Sequence, residues 1–95
     1  MADIRFGLQP DWNSVMWQIN HRFDVKGCDT VRVTLRESHG HELNPQPFFL
    51  DFFFTKEERD TMSDFKSYVI GTITKSEHPR YLNGIFYNIY DITGV

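Results

Sequence analysis

The densest apolar signal in the chain is Pro47-Phe48-Phe49-Leu50-Asp51-Phe52-Phe53-Phe54, which switches at once to Thr55-Lys56-Glu57-Glu58. Side chains of a strand point alternately to opposite faces, so a run apolar at both parities needs cover on both. The pattern predicts a central strand over Phe48–Phe54 with a helix directly behind it. Thr55 and Glu58 have the capping-box spacing, in which each side chain satisfies the other's free backbone N–H. Glu57, Glu58 and Asp60 fall in the first turns, where the helix dipole favours negative charge. Met62, Phe65 and Val69 share one face, and the helix is expected over about residues 55–66. Tyr68–Thr74 is rich in β-branched residues and is expected to be a strand. After a loop with Pro79 and Asn83-Gly84, Ile85–Ile92 is expected to be the last strand.

The first third of the chain carries two competing patterns. Trp12, Val15, Ile19 and Phe23 have helical spacing behind an Asp11 cap. Yet Val15, Trp17, Ile19, His21, Phe23 and Val25 alternate with Met16, Gln18, Asn20, Arg22, Asp24 and Lys26, and a period of two sustained this long predicts a strand over Ser14–Lys26. Val31, Val33 and Leu35 alternate with Arg32, Thr34 and Arg36, a strand over Thr30–Glu37. A hairpin that pairs Asp24 with Arg32, Phe23 with Val33 and Val25 with Val31 avoids opposing two arginines. Ile4–Leu8 is expected to be a short first strand, and Glu37–Pro47 a polar connection.

These elements add up to a single small α+β domain over residues 1–95, rich in strand. It is expected to be an antiparallel sheet or partly open barrel of five to six strands, with one helix after the Phe-rich strand. Without the first strand, the order resembles that of an OB-fold.

Composition narrows the class further. Ninety-five residues suit one domain. The net charge is −3, with acids and bases interspersed and no basic tail, which disfavours a partner held by its phosphate backbone. Cys28 is the single cysteine, so a disulfide framework is excluded. No apolar segment is long enough to span a bilayer, and Met1–Phe6 lacks the basic-then-apolar pattern of a signal peptide. The expected compartment is the cytoplasm, or the host cytoplasm for a viral or phage gene.

Catalytic motifs are absent: no phosphate-binding loop, dinucleotide fingerprint, nucleophile elbow or HExxH run occurs. No catalytic residue and no cofactor is expected. Glu37, His39, His41 and Glu42 collect metal-competent donors in one loop, but their spacing matches no recognised site. His21, on the inward side of its expected strand, reads as a structural histidine. Asp51 inside the Phe run implies partial exposure of its strand. Cys28 reads as an incidental turn thiol, since Asp29 offsets Lys26 beside it.

What remains is binding. The first expectation is a small acidic adaptor or inhibitor that docks a protein partner through Asp3, Asp11, Glu57, Glu58, Asp60 and Asp64. Arg80 and Tyr81 are candidate interface residues. One alternative is a single-stranded nucleic-acid module with Arg22, Arg32 and Arg36 on phosphates and Trp17 or Tyr87 against bases, and another is a small metal-binding protein or enzyme using the His39/His41 loop. A strand edge leaves a homodimer open.

Overall fold

Asp11 starts the first helix. Its carboxylate accepts from the backbone N–H groups of Asn13 and Ser14 at 3.1 and 3.3 Å, the work of an N-cap. The computed structural model describes residues 4–37, 48–76 and 86–95. In it α1 runs over Trp12–Asp24 and buries Val15, Met16, Ile19 and Phe23. Those four lie on one helical stripe. The strand expected over Ser14–Lys26 is therefore overturned, and with it the hairpin to Thr30–Glu37. The alternation is present in the sequence but does not sort core from solvent: Trp17 and Val25 of its apolar row are exposed. Gly27, at φ +72°, then turns the chain, a conformation glycine adopts without steric cost.

Strand β1 follows over Thr30–Glu37, β2 over Phe49–Thr55 and β3 over Tyr87–Gly94. The sheet order is β2-β1-β3, and β1 is antiparallel to both neighbours. β2 and β3 consequently run parallel to each other, and the chain between them crosses the sheet through two helices, α2 (Lys56–Thr61) and α3 (Phe65–Thr74). Among the described residues the protein is thus a small α+β domain with a three-stranded open antiparallel sheet and three helices. It is not a sheet or barrel of five to six strands, and the OB-like order does not hold.

Two further expectations are corrected. The single helix over about residues 55–66 is two helices, separated at Met62-Ser63-Asp64, where Asp64 caps α3 through the Ser67 N–H at 3.1 Å. The strand expected over Tyr68–Thr74 is the body of α3, whose Phe65, Val69 and Ile73 are buried. Tertiary burial overrides the β-propensity of those residues. The Phe-rich strand is flanked by β1 alone among the described residues, so β1 is the central strand. The first strand expected over Ile4–Leu8 is reduced to one parallel bridge between Phe6 and Tyr87.

The helices cover one face of the sheet. Val31, Val33 and Leu35 of β1 are fully buried there, with Leu50 and Phe54 of β2 and Tyr87 and Ile92 of β3. A bulge between Thr34 and Leu35 sets Asp91 opposite Thr34 but Ile89 opposite Leu35, leaving Tyr90 as the extra residue. Ile92 is thereby brought to the same face as Tyr87, where strict alternation would separate them.

Rings tie the layers together. Phe65 of α3 lies 6.1 Å from Phe54 and 6.5 Å from Phe23. Arg59 of α2 sits over Phe23 at 5.4 Å and pairs with Asp24 at 2.7 Å, joining α2 to the end of α1. Phe54→Ala removes a fully buried ring that meets Phe65 and Tyr68 of α3. It should lower unfolding free energy by about 3–5 kcal/mol, read by urea denaturation.

Candidate functional site

β1 sends Arg32, Thr34 and Arg36 to the face opposite the helices. In register beside them on β2 are Phe53, Asp51 and Phe49, and on β3 Thr93, Asp91 and Asn88. No described helix packs on this face. Its aromatics are correspondingly open: Phe49 is 43% exposed, Phe53 55% and Tyr90 58%. Large rings left in water on one contiguous surface are informative in a way that a scattered leucine is not.

The face is organised by its own contacts. The Phe49 and Tyr90 rings meet edge-on at 5.3 Å, spanning the outer strands across β1. The Arg36 guanidinium lies 5.7 Å from the centre of the Tyr90 ring, a cation–π contact. Thr34 donates its hydroxyl to Asp51 at 2.7 Å and is itself buried among these neighbours. Asp51 is exposed, which agrees with the partial exposure expected for its strand. The Nε of Arg32 is buried and has no hydrogen-bond partner among the described residues. The surface therefore offers three rings, two guanidinium groups and two carboxylates, Asp51 and Asp91, on a rigid sheet.

No family model, no curated protein and no solved structure matches this chain.

A second concavity runs beside the C-terminal half of α1. It has a volume of about 690 Å³ and is lined by Trp17, His21, Arg22, Lys26, Cys28 and the end of β3 at Thr93 and Gly94, among others. Trp17 is 64% exposed, and one face of its indole is stacked on the His21 ring at 4.9 Å. Cys28 packs so closely on β3 that a Cβ at Gly94 would overlap its Sγ.

The residues expected to bind nucleic acid on one face are divided. Arg32 and Arg36 share the outward sheet face, while Trp17 and Arg22 lie on α1. Tyr87 is fully buried and offers no ring to a base. His21 belongs to a helix and is half-buried, not in an inward strand row. Of the metal candidates, Glu37 is a buried residue at the end of β1, and His39, His41 and Glu42 lie outside the described residues. Among the described residues no cluster of metal-competent side chains forms. Asp3, Arg80 and Tyr81 also lie outside them. No described helix is long and apolar enough to cross a membrane.

The acidic surface is largely engaged within the fold. Asp11 and Asp64 cap helices, Asp60 pairs with Arg59 at 3.0 Å, and Glu57 is exposed. Glu58 completes the expected capping box, accepting from the Thr55 N–H at 2.8 Å while Thr55 accepts from the Glu58 N–H at 3.1 Å. The Tyr68 hydroxyl donates to the other Glu58 oxygen at 2.8 Å. Burial pushes the Glu58 carboxyl up, but the Thr55 N–H and the Tyr68 and Thr55 hydroxyls outweigh it and hold it below its ordinary value. The Arg59 hydrogen bond lowers Asp24, and the Ser67 N–H lowers Asp64. Sequence reasoning drew partial exposure of the Phe run from Asp51 but did not join Phe49, Phe53 and Tyr90 into one surface, because strand pairing across β1 alone brings Tyr90 beside that run.

A carboxylate whose pKa is depressed by folding stabilises above its unfolded pKa, and that stability is lost as pH falls through the folded value. Unfolding midpoints should therefore drop on acidification from about pH 6 to about pH 3. Glu58→Gln should flatten that drop while retaining the helix by circular dichroism. Thr55→Ala, which removes the cap itself, should cost about 1 kcal/mol at neutral pH.

Proposed function

We propose that this protein is a non-catalytic binding module that docks a protein partner through the open face of its sheet. The observation that carries the reading is the exposure of Phe49, Phe53 and Tyr90 together on one strand-built surface. Tyr and Arg are enriched where interface energy concentrates, and Arg32 and Arg36 stand among these rings. A sheet holds them in place before binding, so little side-chain or loop ordering opposes association.

Charge selects the class of partner. Arg32 and Arg36 are balanced on this face by Asp51 and Asp91, which would repel a phosphate backbone. A protein surface with an apolar ridge flanked by both signs meets every group. Two copies of this chain do not. Centred, aligned face-to-face packing puts arginine on arginine whether the two-fold axis runs along β1 or across it. The same operations bring carboxylate onto carboxylate at Asp51 and Asp91. A partner of different sequence is favoured over a homodimer.

The module would then act as an adaptor or as an inhibitor that occupies its partner's surface.

The test compares wild-type protein with the Phe53→Ser/Tyr90→Ser variant as bait in nuclease-treated lysate, read by mass spectrometry. Both side chains point outward, so the variant should keep its circular dichroism. The expected result is a protein retained by the wild type and lost by the variant, each ring contributing about 2 kcal/mol or more. Equal retention by both baits would remove the sheet face from the function. Recovery only without nuclease would move the function to nucleic acid.

A further inference from the structure

The groove beside α1 differs in chemistry from the sheet face. Its lining carries three nitrogen bases, His21, Arg22 and Lys26, with no carboxylate among the described residues that line it. That is unexpected in a chain of net charge −3. The acid of α1 itself, Asp24, lines an adjoining hollow that shares Trp17 and His21 with the groove, and it is paired with Arg59 at 2.7 Å. Beside the cations stands Trp17, whose indole is propped against His21 on one face and otherwise open to solvent. Arg22 is steadied by donating one N–H to the Gln18 carbonyl at 3.0 Å, which leaves other donors of its guanidinium. An open π face with a cluster of cations suits a ligand that is both aromatic and anionic.

We propose that this groove binds a nucleoside phosphate, free or as one unit of a single strand, with the base on Trp17 and the phosphate on Arg22 and Lys26. Trp17 and Arg22 are five positions apart, about 7.5 Å along the helix axis, and both line the groove. The volume, about 690 Å³, lies within the roughly 300–1,000 Å³ usual for small-molecule sites. Base stacking on an exposed aromatic beside a basic groove is how strands are held without sequence readout. The site is separate from the sheet-face aromatics and does not depend on the protein partner.

The experiment titrates adenosine 5′-monophosphate and a short oligothymidylate into the full chain at low salt. Calorimetry gives affinity, and the two indole N–H signals in NMR distinguish Trp17 from Trp12. The expected result is saturable binding that shifts the Trp17 signal, leaves Trp12 in place and weakens with salt. Trp17→Ala and Lys26→Ala should each weaken it about tenfold. Both residues are exposed, so both variants should remain folded, as circular dichroism would verify. Tighter binding of the oligonucleotide supports a strand as the natural ligand, and equal or tighter binding of the monophosphate supports the free nucleotide. No binding of either at millimolar concentration overturns the proposal. So does wild-type affinity in both variants, or inorganic phosphate binding as tightly as the monophosphate, which would leave stacking no part.

Discussion

Burial on one side of β1 is the constraint from which the rest follows. Val31, Val33 and Leu35 have no exposed surface, and a three-stranded sheet can hide them only beneath helices. Three helices of six to thirteen residues form one such layer. They are spent on that face. The opposite parity, Arg32, Thr34 and Arg36, is then left without a described helix over it, beside whatever β2 and β3 place there. The candidate binding surface is the complement of the core: its position is set by the same alternation that buries the valines.

The helix layer is held by rings and one cation. Phe65 bridges Phe54 of the sheet and Phe23 of α1, and Arg59 covers Phe23 while reaching Asp24. These contacts join residues far apart in sequence, so they reward α1 for being a helix in a way local propensity does not. They also engage acids that stay exposed: Asp24 and Asp60 serve Arg59, Asp11 and Asp64 serve as caps, and the half-buried Glu58 serves the capping box and Tyr68.

Function was only faintly legible in the residues. Arg32 and Arg36 could be assigned to one outward face, and that assignment holds because it rests on strand parity alone. Trp17 could be named, with Tyr87, as a ring to set against bases. Their partners could not be named. Phe49 meets Tyr90 only across β1, and Trp17 shares a groove with Thr93 and Gly94 only where the end of β3 lies beside α1. Both surfaces are assembled from residues about forty to eighty positions apart in the numbering.

The sequence by itself determined what local chemistry controls: the Asp11 and Thr55 caps, the helix behind the Phe-rich strand, and the alternation of Thr30–Glu37. It pointed wrongly to strands over Ser14–Lys26 and Tyr68–Thr74, where β-branched and aromatic residues suit either geometry. Tertiary structure chose helix in both, because a three-stranded sheet with one apolar face needs a covering layer and those segments bury apolar residues at helical spacing. The same choice decided that the Phe run lies at the sheet edge with one face open, since the helices suffice to cover one side only.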